Sequence, residues 1–230
     1  MNYIVGDVHA NSEELRKLLV KIRPTRDDTL IFLGDYIDKN VHTKDTLDTL
    51  ETLQSESNCI FIKGNHDFVW DRYLNHGELQ RNAFLLKYGG VEALTGLCDS
   101  PASMIGDNKI ELIKDLLADY LKLIPKMRDY HLVDKYLAIH AGLKHDQIHQ
   151  SPLIFTEENY FLRMDKDEIN PKYLDRYRIV AGHTQFGLEP TITPTYINID
   201  LGAGYGYYLA AFCIEDKRVY RSDGAVFDVK

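Results

Sequence analysis

The apolar positions of this chain come in short bursts. Residues 3–5, 30–33, 60–62, 137–139 and 179–181 are runs of β-prone side chains, each stopping within one residue of a glycine or a histidine. The breaks read Gly6-Asp7-Val8-His9, Gly34-Asp35-Tyr36-Ile37-Asp38, Gly64-Asn65-His66-Asp67, His140-Ala141-Gly142 and Gly182-His183-Thr184. Such a run predicts a buried strand entering a tight turn, and ligand sites in α/β proteins collect at the carboxyl ends of such strands. Between the runs the period changes. Leu15, Leu18, Leu19 and Ile22 have helical spacing, with Asn11 and Glu14 placed as a capping pair and Pro24 just beyond. Leu47, Leu50 and Leu53 predict a second helix near 43–55, and a third strand, 60–62, feeds Asn65-His66 and more helix.

From about 67 to 125 the pattern turns helical. Ile110, Ile113, Leu117 and Leu121 predict one long amphipathic helix behind Asp107, ended by Pro125. Strand-like segments follow at 130–133, 136–140, 178–182, 196–200, 207–214 and 218–221. A chain that starts βαβαβ and finishes mostly as strands predicts an α/β fold of two packed sheets flanked by helices. We expect a single domain over 1–230, with the helical insertion at 67–125. Gly202, Gly204 and Gly206 lead into a strand rather than a helix, so they predict a glycine turn and no phosphate-cradling fingerprint.

Composition narrows the class. At 230 residues and 44% hydrophobic content the chain can bury a large core. The first apolar run is too short for a signal peptide, and no stretch approaches the ~20 residues of a membrane helix, so the expectation is a cytoplasmic protein with no membrane partner. Cys59, Cys98 and Cys213 show no C-x-x-C spacing and predict buried thiols. A net charge of −8 argues against stable nucleic-acid binding, which needs basic patches. It does not exclude phosphate substrates, because two divalent cations would outweigh the charges of Asp7 and Asp35.

Asp7, His9, Asp35, Asn65, His66, His140 and His183 together suit two divalent cations held by oxygen and imidazole donors, a set that favours manganese, iron or zinc over calcium. Taken singly, each has a plainer explanation: Asp7, Asp35 and Asn65 as turn or capping residues, His140 and His183 as buried histidines. What carries weight is that seven suitable side chains follow five predicted strands. His42, His76, His131, His145 and His149 lack such settings and are expected at the surface.

These five blocks, in this order, resemble the GDxH, GDxxDR, GNHE or GNHD, HAG or HGG, and GHT pattern of the phosphoprotein phosphatase branch of the calcineurin-like metallophosphoesterases, which also holds bacterial symmetrical diadenosine tetraphosphate hydrolases. The blocks span 6 to 184. The resemblance implies a sandwich of two mixed β-sheets, with Asp7 and His9 on the first metal, Asp35 bridging, and Asn65, His140 and His183 on the second. It implies in-line attack by a metal-bridging hydroxide, with His66 as general acid oriented by Asp38. Manganese is the expected metal, iron or zinc the alternatives.

Two departures matter. Lys39-Asn40 stands where the family has Arg-Gly, and a lysine offers a point charge in place of a planar fork. Lys39 and Arg163, the latter after the aromatic stretch Tyr160-Phe161, are the expected phosphate-binding residues, with Arg72 in reserve. Gln185 stands where the superfamily's nucleases and phosphodiesterases tend to have a second histidine, which turns the expectation towards phosphatase chemistry. The expected substrate is a phosphorylated protein, at serine or threonine phosphate, or a small phosphoester. The alternative is symmetrical cleavage of a dinucleoside polyphosphate, with aromatics among residues 68–97 either stacking on a base or filling the insertion's core. A silent metal-binding scaffold would be expected to lack His66, Asp38 or the bridging ligand, and none is missing.

Overall fold

In a computed structural model, which describes residues 1–164 and 176–230, the chain forms two sheets. The first contains β1 (Asn2–Val5), β2 (Thr29–Phe32), β3 (Asn58–Ile62) and β4 (Met127–Arg128) in parallel. The second contains β5 (Tyr130–Val133), β6 (Tyr136–Ile139), β7 (Arg178–Ala181), β8 (Thr191–Ile192) and β9 (Tyr196–Asn198), of which β6, β7 and β9 are parallel. The chain then returns to the first sheet with β10 (Ala210–Cys213), β11 (Arg218–Arg221) and β12 (Val226–Asp228), β10 lying antiparallel to β1. The strand orders are β12-β11-β10-β1-β2-β3-β4 and β5-β6-β7-β9-β8.

Strand alternation explains the layering. On β1 and β2, Tyr3, Val5, Leu30 and Phe32 face the helices, while Ile4 and Ile31 face the second sheet. There they meet Tyr136, Ala138, Val180 and Ile197, and the Tyr136 and Phe212 rings lie 5.2 Å apart. The opposite residues of β6 and β7, Leu137, Ile139 and Ile179, bury against the loops beyond. Each sheet is thus covered on both faces, which is why its central strands read as continuous apolar runs.

Helices α1 (Ser12–Ile22), α2 (Thr43–Glu56) and α3 (Asn65–His76) follow the first three strands. The predicted cap holds: the Asn11 side chain accepts the Glu14 N–H at 3.2 Å. Beyond α3 come α4 (Asn82–Lys87), α5 (Gly90–Leu94), α6 (Pro101–Gly106), α7 (Ile110–Leu116) and α8 (Ala118–Leu123), and later α9 (Glu157–Phe161). The single long helix predicted across 110–121 is in fact two, because Leu117 leaves helical geometry at φ −104° and ψ 27°. After Ile113 and Leu117 the next buried side chain is Tyr120, and Leu121 is half-buried. Three short strands, β4, β8 and β12, were not legible in the pattern; two of them are two residues long. No helix among the described residues is long and apolar enough to cross a membrane.

Candidate metal centre

Six parallel strands, three from each sheet, end at one edge, and their following turns face each other. The contact between the halves is direct. The backbone N–H of His183 donates to Asp7 Oδ2 at 2.9 Å, and His140 Nδ1 lies 2.9 Å from the Leu33 carbonyl. Asp7, His9, Asp35, Asn65, His66 and His140 are buried, and His183 is half-buried. These turns are tight: of ten non-glycine residues with positive φ among the described ones, His9, Ala10, Asp35, Asp38, Lys39 and His183 belong here. Left-handed backbone in non-glycine residues is costly and persists where surrounding structure fixes it, which is characteristic of functional sites. Gly182 is required by close approach, since a Cβ there would overlap Asp7 Oδ1.

Donor atoms converge in two groups, His9 with Asp35 and His66, and Asp7 with Asp35 and His140. His9 Nε2 is 3.3 Å from Asp35 Oδ2, and His140 Nε2 is 3.6 Å from Asp35 Oδ1, so Asp35 presents one oxygen to each side. Asn65 Oδ1 lies 2.9 Å from both His140 Nε2 and His183 Nδ1. The proton inventory shows what this set accommodates. With its Nδ1–H donated to the Leu33 carbonyl, a neutral His140 points a lone pair from Nε2 at the Asn65 oxygen, acceptor against acceptor. Burial holds His140 below its ordinary pKa, so an imidazolium does not relieve the conflict. Asp7 Oδ1 is buried with no hydrogen-bond partner. Lone pairs that converge without protons fit divalent cations.

The imidazoles differ in protonation. Burial pushes His9 well below its ordinary value, helped by the Lys39 charge. His183 falls to about 3 through burial, then the neighbouring His140 and Arg163. For His66, burial also opposes the charge, yet Asp35 and Asp38 outweigh it and its pKa rises. Its Nδ1 sits 2.6 Å from Asp38 Oδ2, and the Trp70 indole N–H donates to the other Asp38 oxygen at 2.8 Å. Among the carboxyls, burial and the charges of Asp200 and Asp35 raise Asp7 well above 3.8. Asp35 is held low, its burial outweighed by His140, His66 and His9.

The two expected phosphate-binding residues sit differently. Lys39 reaches inward: its Nζ lies 2.8 Å from His9 Nε2 and 4.7 Å from the centre of the Tyr205 ring. Arg163 is exposed just after α9, near enough to His183 to disfavour its protonation. Asn159 of α9 donates to the Gly142 carbonyl at 3.2 Å, which ties that segment to the turn after β6. Arg72, the reserve candidate, is committed to Glu78. Of the aromatics in 68–97, Trp70 and Tyr73 are core, while Phe84 packs edge-on against His66 with Tyr88 beside it. His42, His76 and His149 are exposed and His131 is half-buried; the His145 side chain lies outside the described residues.

Two contributors escaped the sequence pattern. Asp200 follows β9, and its charge is felt at Asp7 and Asp35. The signal was weak, because Asn198 interrupts the apolar pattern of Tyr196, Ile197 and Ile199 ahead of the acid. Gly204 is the other. The glycine turn was expected, but not its place: a Cβ at 204 would lie 2.7 Å from both His9 Cδ2 and Lys39 Cδ.

Comparison with known proteins agrees with this geometry. The family model described as calcineurin-like phosphoesterase matches residues 3–187. A bis(5'-nucleosyl)-tetraphosphatase PrpE [asymmetrical] of Oceanobacillus iheyensis is 25% identical, covering 93% of this chain and 88% of that protein. The serine/threonine-protein phosphatase PP2A-like PPG1 of Saccharomyces cerevisiae is 24% identical over 79% of this chain and 49% of its own length. The crystal structure of a cold-active protein-tyrosine phosphatase of a Shewanella species superposes with a TM-score of 0.64 at 14% identity, covering all of this chain and 80% of that one, and shows the shared fold.

Proposed function

The chain belongs to the calcineurin-like phosphoesterase family, and from that premise we propose that residues 1–230 act as one domain, a two-metal phosphatase of phosphomonoesters, foremost serine and threonine phosphate in proteins. Asp7 and His9 would hold one cation, Asn65, His140 and His183 the other, and Asp35 would serve both. Manganese is the favoured ion, iron or zinc the alternatives. When bound, the ions supply positive charge to a phosphoryl oxygen and acidify a water at neutral pH.

The protein's own groups complete the chemistry. His66 is the one imidazole of the four whose surroundings favour the protonated form. A ligating imidazole must be free of its proton on the coordinating nitrogen, whereas a general acid must carry its proton at working pH. What carries the assignment of His66 as proton donor to the leaving oxygen is its Nδ1 contact with a carboxylate, Asp38, at 2.6 Å, where the Nδ1 atoms of His9, His140 and His183 face carbonyl or amide oxygens; its Nε2 lies 3.9 Å from Asp35 Oδ2. Asp38, held by Trp70, fixes the tautomer by accepting from Nδ1. Lys39 cannot both donate to His9 Nε2 and leave that lone pair to a cation. Its ammonium is therefore released to pair with a substrate phosphate, alongside Arg163.

Cleavage of dinucleoside polyphosphates is the second reading, favoured by the match along nearly the whole PrpE chain. Turnover of a phosphoserine peptide and of diadenosine tetraphosphate, measured side by side with manganese, separates the two. Preference for the peptide is expected. Preference for the dinucleotide would replace the protein-phosphatase reading, and its products would give the mode: two nucleoside diphosphates for symmetrical cleavage, a mono- and a triphosphate for asymmetrical.

A further inference from the structure

Asp35 serves both halves of the centre, yet its backbone sits at φ +53°, a conformation its own side chain does not favour. The group that holds it there is the Asp67 carboxylate. Asp67 Oδ2 accepts the N–H of Asp35 at 2.6 Å and that of Gly64 at 2.8 Å, which pins the turn after β2 to the turn after β3. Its Oδ1 accepts the Tyr120 hydroxyl at 2.5 Å and, more weakly, the Tyr36 N–H at 3.4 Å. Asp67, Tyr36 and Tyr120 are fully buried. Tyr120 belongs to none of the five sequence blocks. It comes from α8, 53 residues after Asp67, on the far side of the break at Leu117.

We propose that Tyr120 is a positioning residue for the metal centre: its hydroxyl locks the Asp67 carboxylate, and through it the placement of Asp35. Without that hydroxyl, Asp67 Oδ1 keeps only the long contact to Tyr36, and the carboxylate gains freedom about its Cβ–Cγ bond. The grip of Oδ2 on the Asp35 and Gly64 amides loosens with it. Asp35 would then present its oxygens to His9 and His140 less uniformly, and cation affinity would fall. Losses of ~10–100-fold are usual when such an outer hydrogen bond is removed from a metal site. Through this contact the helical segment between β3 and β4 sets the affinity of the centre without supplying a ligand.

The proposal rests on the reading of Asp35 as a shared ligand, and the test separates the two. Manganese is titrated into the metal-free full chain and followed by calorimetry and electron paramagnetic resonance, with no substrate present. Tyr120→Phe is expected to weaken binding of at least one of the two ions by roughly tenfold or more. Tyr73→Phe is the control. Its hydroxyl is equally buried in the same segment but bonds the Ile105 carbonyl and Asn108, so it is expected to bind manganese as wild type does. Wild-type affinity in Tyr120→Phe, or an equal loss in both variants, would overturn the proposal. Asp35→Asn checks the premise: wild-type binding of two ions there would overturn the ligand reading itself, whereas a loss there beside an unaffected Tyr120→Phe would overturn the positioning role alone. If Tyr120→Phe does not fold, Asp67→Asn replaces it, with the same loss expected and unchanged affinity overturning the proposal.

Discussion

Asp7, Asp35 and His140 project from turns directly after β1, β2 and β6, each anchored within a residue or two by a backbone hydrogen bond. Lys39 reaches the same centre on a long side chain from a loop, with Tyr205, 65% exposed, against its ammonium and Arg163 exposed after α9. The first group is held by the register of two sheets. In the second, the Lys39 ammonium is placed by side-chain contacts alone, to His9 Nε2 and the Tyr205 ring. A substitution on the metal side should therefore abolish chemistry, while one on the substrate side should tune affinity.

The largest effect is expected from Asp7→Asn, which keeps volume but removes the charge facing the centre. Turnover with saturating manganese should fall by ~10³-fold, the scale of several kcal/mol of transition-state stabilisation. A variant that retains most of its kcat would place the reaction elsewhere. For His66→Asn we expect a loss of ~100-fold, the usual scale of general acid catalysis, with two manganese ions still bound by elemental analysis. Loss of metal instead would move His66 into the ligand set and blur the division between the two sides.

A pH dependence follows from Asp7. Burial with Asp200 and Asp35 raises its pKa well above 3.8 in the metal-free protein, yet a cation requires the carboxylate. Binding must then release a proton, so manganese affinity is gained as pH rises and lost as pH falls through the raised pKa, by up to ~10-fold per unit for one linked proton. Calorimetry in two buffers of different ionisation enthalpy measures that release, and an affinity that does not weaken on acidification would contradict it. The smallest effect belongs to the substrate side. Tyr205→Ala removes a cation–π contact worth about 0.5–1 kcal/mol at an exposed site, so KM should rise roughly 2–5-fold with kcat unchanged. A fall in kcat would mean that Tyr205 acts on the metal side as well.

The same division explains what was legible in the sequence. Strand-then-turn is a local signal, and Gly6-Asp7, Gly34-Asp35 and Gly182-His183 carry it in adjacent residues, so the donor set was readable before the fold. The buried alternation of β1, β2, β6 and β7 was readable for the same reason. What was missed depends on contacts between distant segments. Nothing in residues 196–206 announces that Gly204 lies against His9, or that Asp200 stands beside Asp7. The break at Leu117 was hidden because Leu117 and Leu121 fit a continuous helix equally well, and the Tyr120 to Asp67 contact spans 53 residues. Arg163 was singled out by its place after Tyr160-Phe161, between two blocks.

The His183 amide that meets Asp7 lies 176 residues along the chain from it. Under the ligand reading, this separation fixes when the protein becomes active during its synthesis. A growing chain already holds Asp7, His9, Asp35 and Asn65 after its first third, enough to take part of a cation's coordination shell. It cannot close the second half until β6 and β7 have emerged and paired, because His140 and His183 sit at their ends. Under that reading the nascent polypeptide lacks a complete donor set from Asn65 until His183 has emerged, and the centre closes only once the two sheets have met.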